Sequence, residues 1–154
     1  MQLSKNFWLA EFTQSQAATR LGISNNPNPH EIAALRQLAE NVLQPIRDHF
    51  GRPVVINSGF RSPQVNHRIG GAASSQHTRG EAADIEIPGV SNLELAKWIR
   101  DNLEVDQLIL EGYNPLVGPS SGWVHVSWRA NPRQSVLTAT FTNGRAHYSS
   151  GINA

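Results

Sequence analysis

The most regular pattern of apolar residues runs through residues 32–46, where they recur every three or four positions. This spacing predicts a helix with a single apolar face. Asn28 suits the N-cap of that helix and Pro29 its first position, while Glu31 completes a capping box. The helix is therefore expected to begin directly after the turn-rich segment at residues 25–29.

The remaining pattern predicts shorter helices and strands. We expect Pro45 to bend or weaken the long helix near its end, and Gly51 to stop it. Two further helices are predicted at residues 63–69 and 92–103, the second of them amphipathic. Strands are predicted at residues 53–58, 83–87, 107–111, 123–128, 135–140 and 145–148.

The order of these elements indicates the fold class. Helices and strands are mixed without the strict strand–helix–strand alternation of a parallel sheet. The Asn143–Gly144 pair favours a primed hairpin turn between the last two strands. We therefore predict an α+β fold with a small antiparallel sheet. Because the chain shows no internal repeat and no linker, residues 1–154 are expected to form a single domain.

Composition and charge exclude several classes of function. Hydrophobic residues make up 39% of the chain and charged residues 16%, which is typical of a folded globular domain. The formal net charge is only +1 and no run of lysines and arginines is present, so no nucleic-acid partner is expected. The chain has no cysteine, which excludes disulfides and thiolate metal ligands. No segment is long and apolar enough to predict membrane insertion.

The residues with the strongest chemical signal are two histidines and an aspartate. His77 and Asp84 lie in the densest polar cluster, and His125 lies on a predicted strand, on the face opposite its apolar neighbours. Two imidazoles and one carboxylate suit zinc and leave a fourth position for water, whose pKa the metal lowers. A lone strand histidine is more often a packed or surface residue, so the predicted zinc site depends on the combination.

Several motifs, taken in order, resemble a known family. They are Ser58–Gly59–Phe60–Arg61–Ser62, Val65–Asn66, Gly70–Gly71, Ser75–Gln76–His77 followed by Gly80–Glu81–Ala82–Ala83–Asp84, and Trp123–Val124–His125–Val126–Ser127. The chain thereby resembles the zinc D-alanyl-D-alanine peptidases, and more narrowly their small single-domain branch common in bacteriophages and bacteria. The resemblance implies the fold shared with hedgehog signalling domains and lysostaphin-type peptidases, with helices on one side of the sheet and a zinc site on the other.

The resemblance also implies roles for individual residues. His77, Asp84 and His125 match the three ligands of the family's single zinc ion. Arg61 matches an arginine that holds substrate or steadies the developing oxyanion. The chemistry agrees, because a guanidinium pairs with a carboxylate through two hydrogen bonds or stabilises a tetrahedral oxygen.

The general base is the position at which this chain departs from some relatives. Those relatives have a Glu or Asp three residues before the last histidine ligand, where this chain has Gly122. We expect Glu111 to act instead. Antiparallel pairing of its strand with that of His125 would place Glu111 beside Gly122, and the glycine would leave room for the carboxylate. Glu81 is the second candidate and Asp106 the third.

The resemblance predicts a zinc metallopeptidase that hydrolyses peptide bonds of peptidoglycan, as a D-Ala-D-Ala carboxypeptidase or an endopeptidase of endolysin type. The alternative is a zinc-stabilised module that binds peptidoglycan, or belongs to a virion, without catalysis. We expect a monomer with peptidoglycan peptides as its partners. The first twenty residues lack the features of a signal peptide. The protein is therefore expected in the cytoplasm until it is released, exported or packaged in a phage particle.

Overall fold

The secondary structure of the computed structural model, which describes residues 1–154, follows most of the predicted elements. The strands are β1 (Gln2–Ser4), β2 (Phe7–Trp8), β3 (Val55–Ser58), β4 (Ala82–Glu86), β5 (Gln107–Glu111), β6 (Trp123–Ser127), β7 (Ser135–Thr142) and β8 (Arg145–Ser150). The helices are α1 (Leu9–Thr13), α2 (Gln16–Leu21), α3 (Pro29–Leu38), α4 (Gln44–Phe50), α5 (Pro63–Arg68) and α6 (Asn92–Asn102). A π-helical turn, Ala39–Leu43, joins α3 to α4, and a 3₁₀ turn spans Gln76–Arg79.

The long helical segment begins and ends where its sequence signals predict. The Asn28 side chain accepts a hydrogen bond from the Glu31 N–H at 2.9 Å, and the Glu31 carboxylate accepts one from the Asn28 N–H at 2.8 Å. Gly51 ends the segment in the left-handed conformation. The interruption expected at Pro45 takes the form of the π turn, which ends two residues before this proline. A proline has no N–H to donate, and the wider turn accommodates that loss.

The main sheet has six strands in the order β3-β4-β6-β5-β7-β8. Every neighbouring pair is antiparallel except β5 and β7, which run parallel. The predicted α+β class is confirmed, and the parallel pair is an addition that the pattern did not reveal. It arises because residues 128–134 carry the chain from β6 around the start of β5 and into β7.

The two faces of the sheet differ sharply in polarity. On one face the alternate residues of the central strands are buried against α6 and the long helical segment, and each fully buried aliphatic side chain contributes roughly 1.5–3 kcal/mol. These strand residues are Ala83, Ile85, Leu108, Leu110, Val124 and Val126. The other residues of these strands face the opposite way and include Asp84, Glu111 and His125. A period of two therefore separates the core from the polar residues.

The N-terminal segment, for which the sequence pattern predicted no element, supports the loop that follows β3. Phe12 is fully buried in the core, and its backbone carbonyl accepts a hydrogen bond from the Phe60 N–H at 2.7 Å. A Cβ on Gly59 would lie only 2.7 Å from the backbone of Phe12, so this contact requires glycine. The loop that carries Arg61 is thus fixed by close backbone packing.

The last two strands form the predicted hairpin. Asn143 and Gly144 have φ values of +52° and +76°, as a type I′ turn requires. Both strands are longer than predicted.

No helix of the fold combines the length and the apolar character that a membrane crossing would need.

Candidate metal centre and its cleft

Three separate elements bring His77, Asp84 and His125 together. His77 lies in the 3₁₀ turn, Asp84 on β4 and His125 on β6, where the register pairs it directly with Asp84. One potential ligand atom from each residue lies within 4.8 Å of the other two. Asp84 Oδ1 is 3.4 Å from His77 Nε2 and 3.0 Å from His125 Nδ1. Residues far apart in the sequence therefore form one cluster of metal-ligand type.

The orientation of His77 is fixed by its second ring nitrogen. Nδ1 lies 2.7 Å from the carbonyl oxygen of Gly59, an acceptor, so Nδ1 carries the proton. Nε2 then presents its lone pair towards Asp84. Histidines that bind metals commonly donate their other N–H to a carbonyl in this way, which fixes the tautomer and the ring orientation. Ser75 supports the same turn by accepting a hydrogen bond from the His77 N–H at 3.3 Å.

Asp84 remains ionised within this cluster. Burial alone would raise the pKa of its carboxyl, but hydrogen bonds and charges from His125 and His77 outweigh that effect and hold the pKa well below its usual range. The cluster therefore offers one anionic oxygen and two imidazole nitrogens to a cation. This donor set fits a zinc ion and contains none of the extra oxygens that calcium or magnesium would need.

Glu111 ends β5 and lines the same cleft as the three clustered residues. Its Oε2 accepts a hydrogen bond from Trp123 Nε1 at 2.9 Å. Burial raises the pKa of Glu111, and the nearby charge of Asp84 acts in the same direction, while His125, Trp123 and Arg61 oppose the increase. A carboxylate whose pKa is raised, beside a group of candidate metal ligands, is a candidate general base.

The prediction that Gly122 makes room for the Glu111 carboxylate is wrong. The register pairs Glu111 with Trp123, one position beyond Gly122. A Cβ on Gly122 would collide with the backbone carbonyl oxygen of Glu111, and Gly122 has a φ of +67°. The glycine therefore permits a close backbone turn and does not make room for the Glu111 carboxylate, which is held by Trp123 instead.

Replacing Gly122 by alanine is expected to destabilise the fold by roughly 2–4 kcal/mol, because strain and collision add together. Gly22→Ala is the matched control, since Gly22 has a φ of +66° but nothing within 4 Å of its Cβ position. That control should lose only about 1–2 kcal/mol. The free energy of unfolding in urea measures both, and equal losses would contradict the close approach.

Arg61 projects from the loop after β3 into the cleft. Its backbone N–H donates to the His77 carbonyl at 3.1 Å, and its Nη2 lies 3.4 Å from Ser75 Oγ. Its buried Nε has no hydrogen-bond partner in the protein. Burial lowers the pKa of this guanidinium, while the charges of Asp84 and Glu111 raise it. Arg61 thus lies among the charged groups of the cleft with donor capacity left for a ligand.

The other two candidates for a general base are not among the residues that line the cleft. Glu81 accepts hydrogen bonds from Gln76 Nε2 and Arg79 Nε, both at 3.1 Å. Asp106 is fully buried, and burial would raise its pKa, but Arg133 and Arg129 outweigh this effect and lower the pKa to about 2. Neither carboxylate lines the cleft, so Glu111 is the only one of the three candidates beside the cluster.

The cleft has a volume of about 610 Å³ and includes residues that the sequence did not point to. The most prominent are three arginines, Arg79, Arg129 and Arg133. Arg79 follows His77 closely, and the other two follow the strand of His125. Their closeness in sequence to the cluster was a signal, but isolated arginines on loops are too common for that signal to be specific.

Comparison with known proteins adds two findings. Residues 5–127 match the family model described as Peptidase M15. The chain is also 33% identical over 78 residues to a protein of Streptomyces albus G named zinc D-Ala-D-Ala carboxypeptidase. That alignment covers 50% of this chain and 27% of the relative, so the chain spans about a quarter of the length of the curated relative it matches.

Proposed function

Because this chain belongs to the Peptidase M15 family, we propose that it is a zinc-dependent peptidase in which His77, Asp84 and His125 hold the metal. The convergence of these three side chains within 4.8 Å carries the proposal. We further propose peptides of peptidoglycan as the substrates. The relative named zinc D-Ala-D-Ala carboxypeptidase, aligned over half of this chain, supports both the metal and the substrate class.

The protein residues prepare the site for this chemistry. When bound, the zinc ion supplies a Lewis acid that polarises the scissile carbonyl and makes a water molecule more acidic. His77 is held in the ligand orientation by the Gly59 carbonyl. Asp84 stays anionic at neutral pH, so the site compensates part of the charge of the cation.

Glu111 is proposed as the general base and acid. The hydrogen bond from Trp123 holds Oε2 and leaves Oε1 free. Oε1 takes a proton from the attacking water and later gives it to the nitrogen of the leaving amine. Burial raises the pKa of Glu111, which makes the carboxylate a stronger base towards the attacking water.

Arg61 is proposed to bind the part of the substrate that becomes negative. Its terminal nitrogens supply N–H donors beside the cluster. Such donors stabilise the oxygen of a tetrahedral intermediate or pair with a carboxylate at the end of a peptide. The position of Glu111 and Arg61 in one cleft favours hydrolysis over the non-catalytic binding module.

Incubation of the zinc-loaded protein with a defined muropeptide, with and without a chelator, tests the proposal. We expect new amino groups that disappear when the chelator is present. Mass spectrometry of the products then identifies the bond. Loss of one D-alanine indicates a carboxypeptidase, and an internal cut indicates an endopeptidase. Tight binding to cell-wall sacculi without any release would instead support the binding module.

A further inference from the structure

One end of the cleft carries three guanidinium groups that the proposed reaction does not use. Arg79, Arg129 and Arg133 line the same cleft as the metal cluster. Their side chains are 48%, 42% and 52% exposed. Three solvent-facing cations at one end of a substrate cleft indicate a binding role that extends beyond the reacting bond.

Two carboxylates outside the cleft accept hydrogen bonds from these guanidiniums. Asp106 is fully buried and accepts from Arg129 Nε at 3.1 Å and from Arg133 Nε and Nη2 at 3.1 and 2.9 Å. Glu81 accepts from Arg79 Nε at 3.1 Å. Neither acid lines the cleft, and both terminal nitrogens of Arg129 have no partner in the protein. The arginines are therefore fixed in position while retaining free donors.

The charge of the cleft favours an anionic ligand. Four guanidiniums line it, since Arg61 adds to the three already described. Asp84 and Glu111 in the cleft, together with Glu81 and Asp106 paired to the arginines, balance this charge. A bound zinc ion therefore makes the site positive. A charged cleft of one sign attracts ligands of the opposite sign and raises their rate of association.

The strand register places these arginines away from the three candidate zinc ligands. His125 pairs with Ile109, and the next outward pair on the same face is Ser127 with Gln107. Two residues of strand correspond to roughly 7 Å, and Arg129 lies beyond that point. Glu111 lies on the opposite side of His125. A group held by the arginines is therefore more than two residues of extended peptide from the reacting bond.

We propose that Arg79, Arg129 and Arg133 form a carboxylate subsite for an acidic residue of the substrate. In a peptidoglycan stem peptide, the α-carboxylate of the D-glutamyl residue has the required charge and distance. This inference rests on the proposed function of the same cleft. Such a subsite makes the protein selective for peptides that carry a carboxylate at a distance from the scissile bond.

A matched pair of pentapeptides tests the subsite. One is L-Ala-γ-D-Glu-L-Lys-D-Ala-D-Ala with the D-glutamyl carboxylate free, and the other carries a carboxamide there. The zinc-loaded protein is expected to show a kcat/KM about tenfold higher for the free acid, mainly through KM, as a charge-assisted contact provides. Arg129→Gln combined with Arg79→Gln should remove most of this preference while leaving the Asp106–Arg133 pair intact. Arg20→Gln, on the exposed face of α2, is the control and should retain it.

Calorimetry with the two tetrapeptides that lack the last D-alanine provides a readout independent of turnover. We expect about tenfold tighter binding of the free acid. Equal affinity for acid and amide would overturn the subsite, even if both pentapeptides are cleaved. A retained difference in affinity without any hydrolysis would overturn the peptidase function and support the subsite.

Discussion

Glu111→Gln is expected to lower kcat by about 10²–10⁴-fold while the protein keeps one zinc ion per chain. Glutamine preserves the shape of the side chain and still accepts the hydrogen bond from Trp123 Nε1. It cannot take a proton from water at the Oε1 position. The metal ligands are untouched, so elemental analysis should find zinc unchanged while steady-state kinetics on a defined peptide find the loss.

Glu81→Gln is the matched control for this prediction. Glu81 is held by Gln76 and Arg79 and does not line the cleft. The control should therefore keep its activity within a few-fold of the unmodified protein. Full activity in Glu111→Gln together with a large loss in Glu81→Gln would move the role of general base to Glu81.

Replacement of His77 by alanine is expected to weaken zinc binding by more than about 100-fold and to remove activity. Loss of a partner that merely orients a ligand already costs about 10–100-fold in metal affinity, and loss of the ligand itself should cost more. Because metal binding is coupled to folding, a chelator should lower the Tm of the unmodified protein and leave that of His77→Ala almost unchanged. Zinc titration and thermal unfolding measure the two effects.

His67→Ala serves as the control for that experiment. His67 is an exposed histidine on α5 and lies outside the cleft. Its removal should leave zinc content, activity and the response to a chelator unchanged. If His67→Ala lost zinc and His77→Ala kept it, the ligand assignment would be wrong.

Local sequence signals predicted much of the fold because their physical causes are local. The capping box at Asn28 and Glu31, the stop at Gly51 and the turn at Asn143–Gly144 all depend on neighbouring backbone groups. Alternation of apolar residues predicted which face of β6 carries His125. The family suggested by the motifs is confirmed by the match over residues 5–127.

Features that depend on long-range packing escaped prediction. The parallel pairing of β5 with β7 requires the crossover around Asp106, which no period along the chain reveals. The contact between Phe12 and the loop at Gly59 joins segments far apart in sequence. The carboxylate subsite also depends on long-range packing, since Arg129 and Arg133 acquire a common position only through the buried carboxylate of Asp106.

The case of Gly122 shows that the position of a residue can be predicted while the reason given for its neighbour is wrong. Glu111 does line the same cleft as His77, Asp84 and His125, as its strand pairing predicted. The pairing partner is Trp123, and the glycine is required by the backbone turn. Backbone conformation explains this glycine and side-chain space does not, and the sequence alone does not display backbone conformation.

X-ray absorption at the zinc edge of the loaded protein tests the ligand set most directly. We expect four-coordinate zinc with two imidazole nitrogens at about 2.0–2.1 Å and oxygen ligands at about 2.0–2.2 Å. One imidazole should disappear from the spectrum of a His125→Ala variant that is reloaded with zinc. A spectrum without imidazole scattering, or one that the replacement of His125 does not alter, would contradict a zinc site formed by His77, Asp84 and His125.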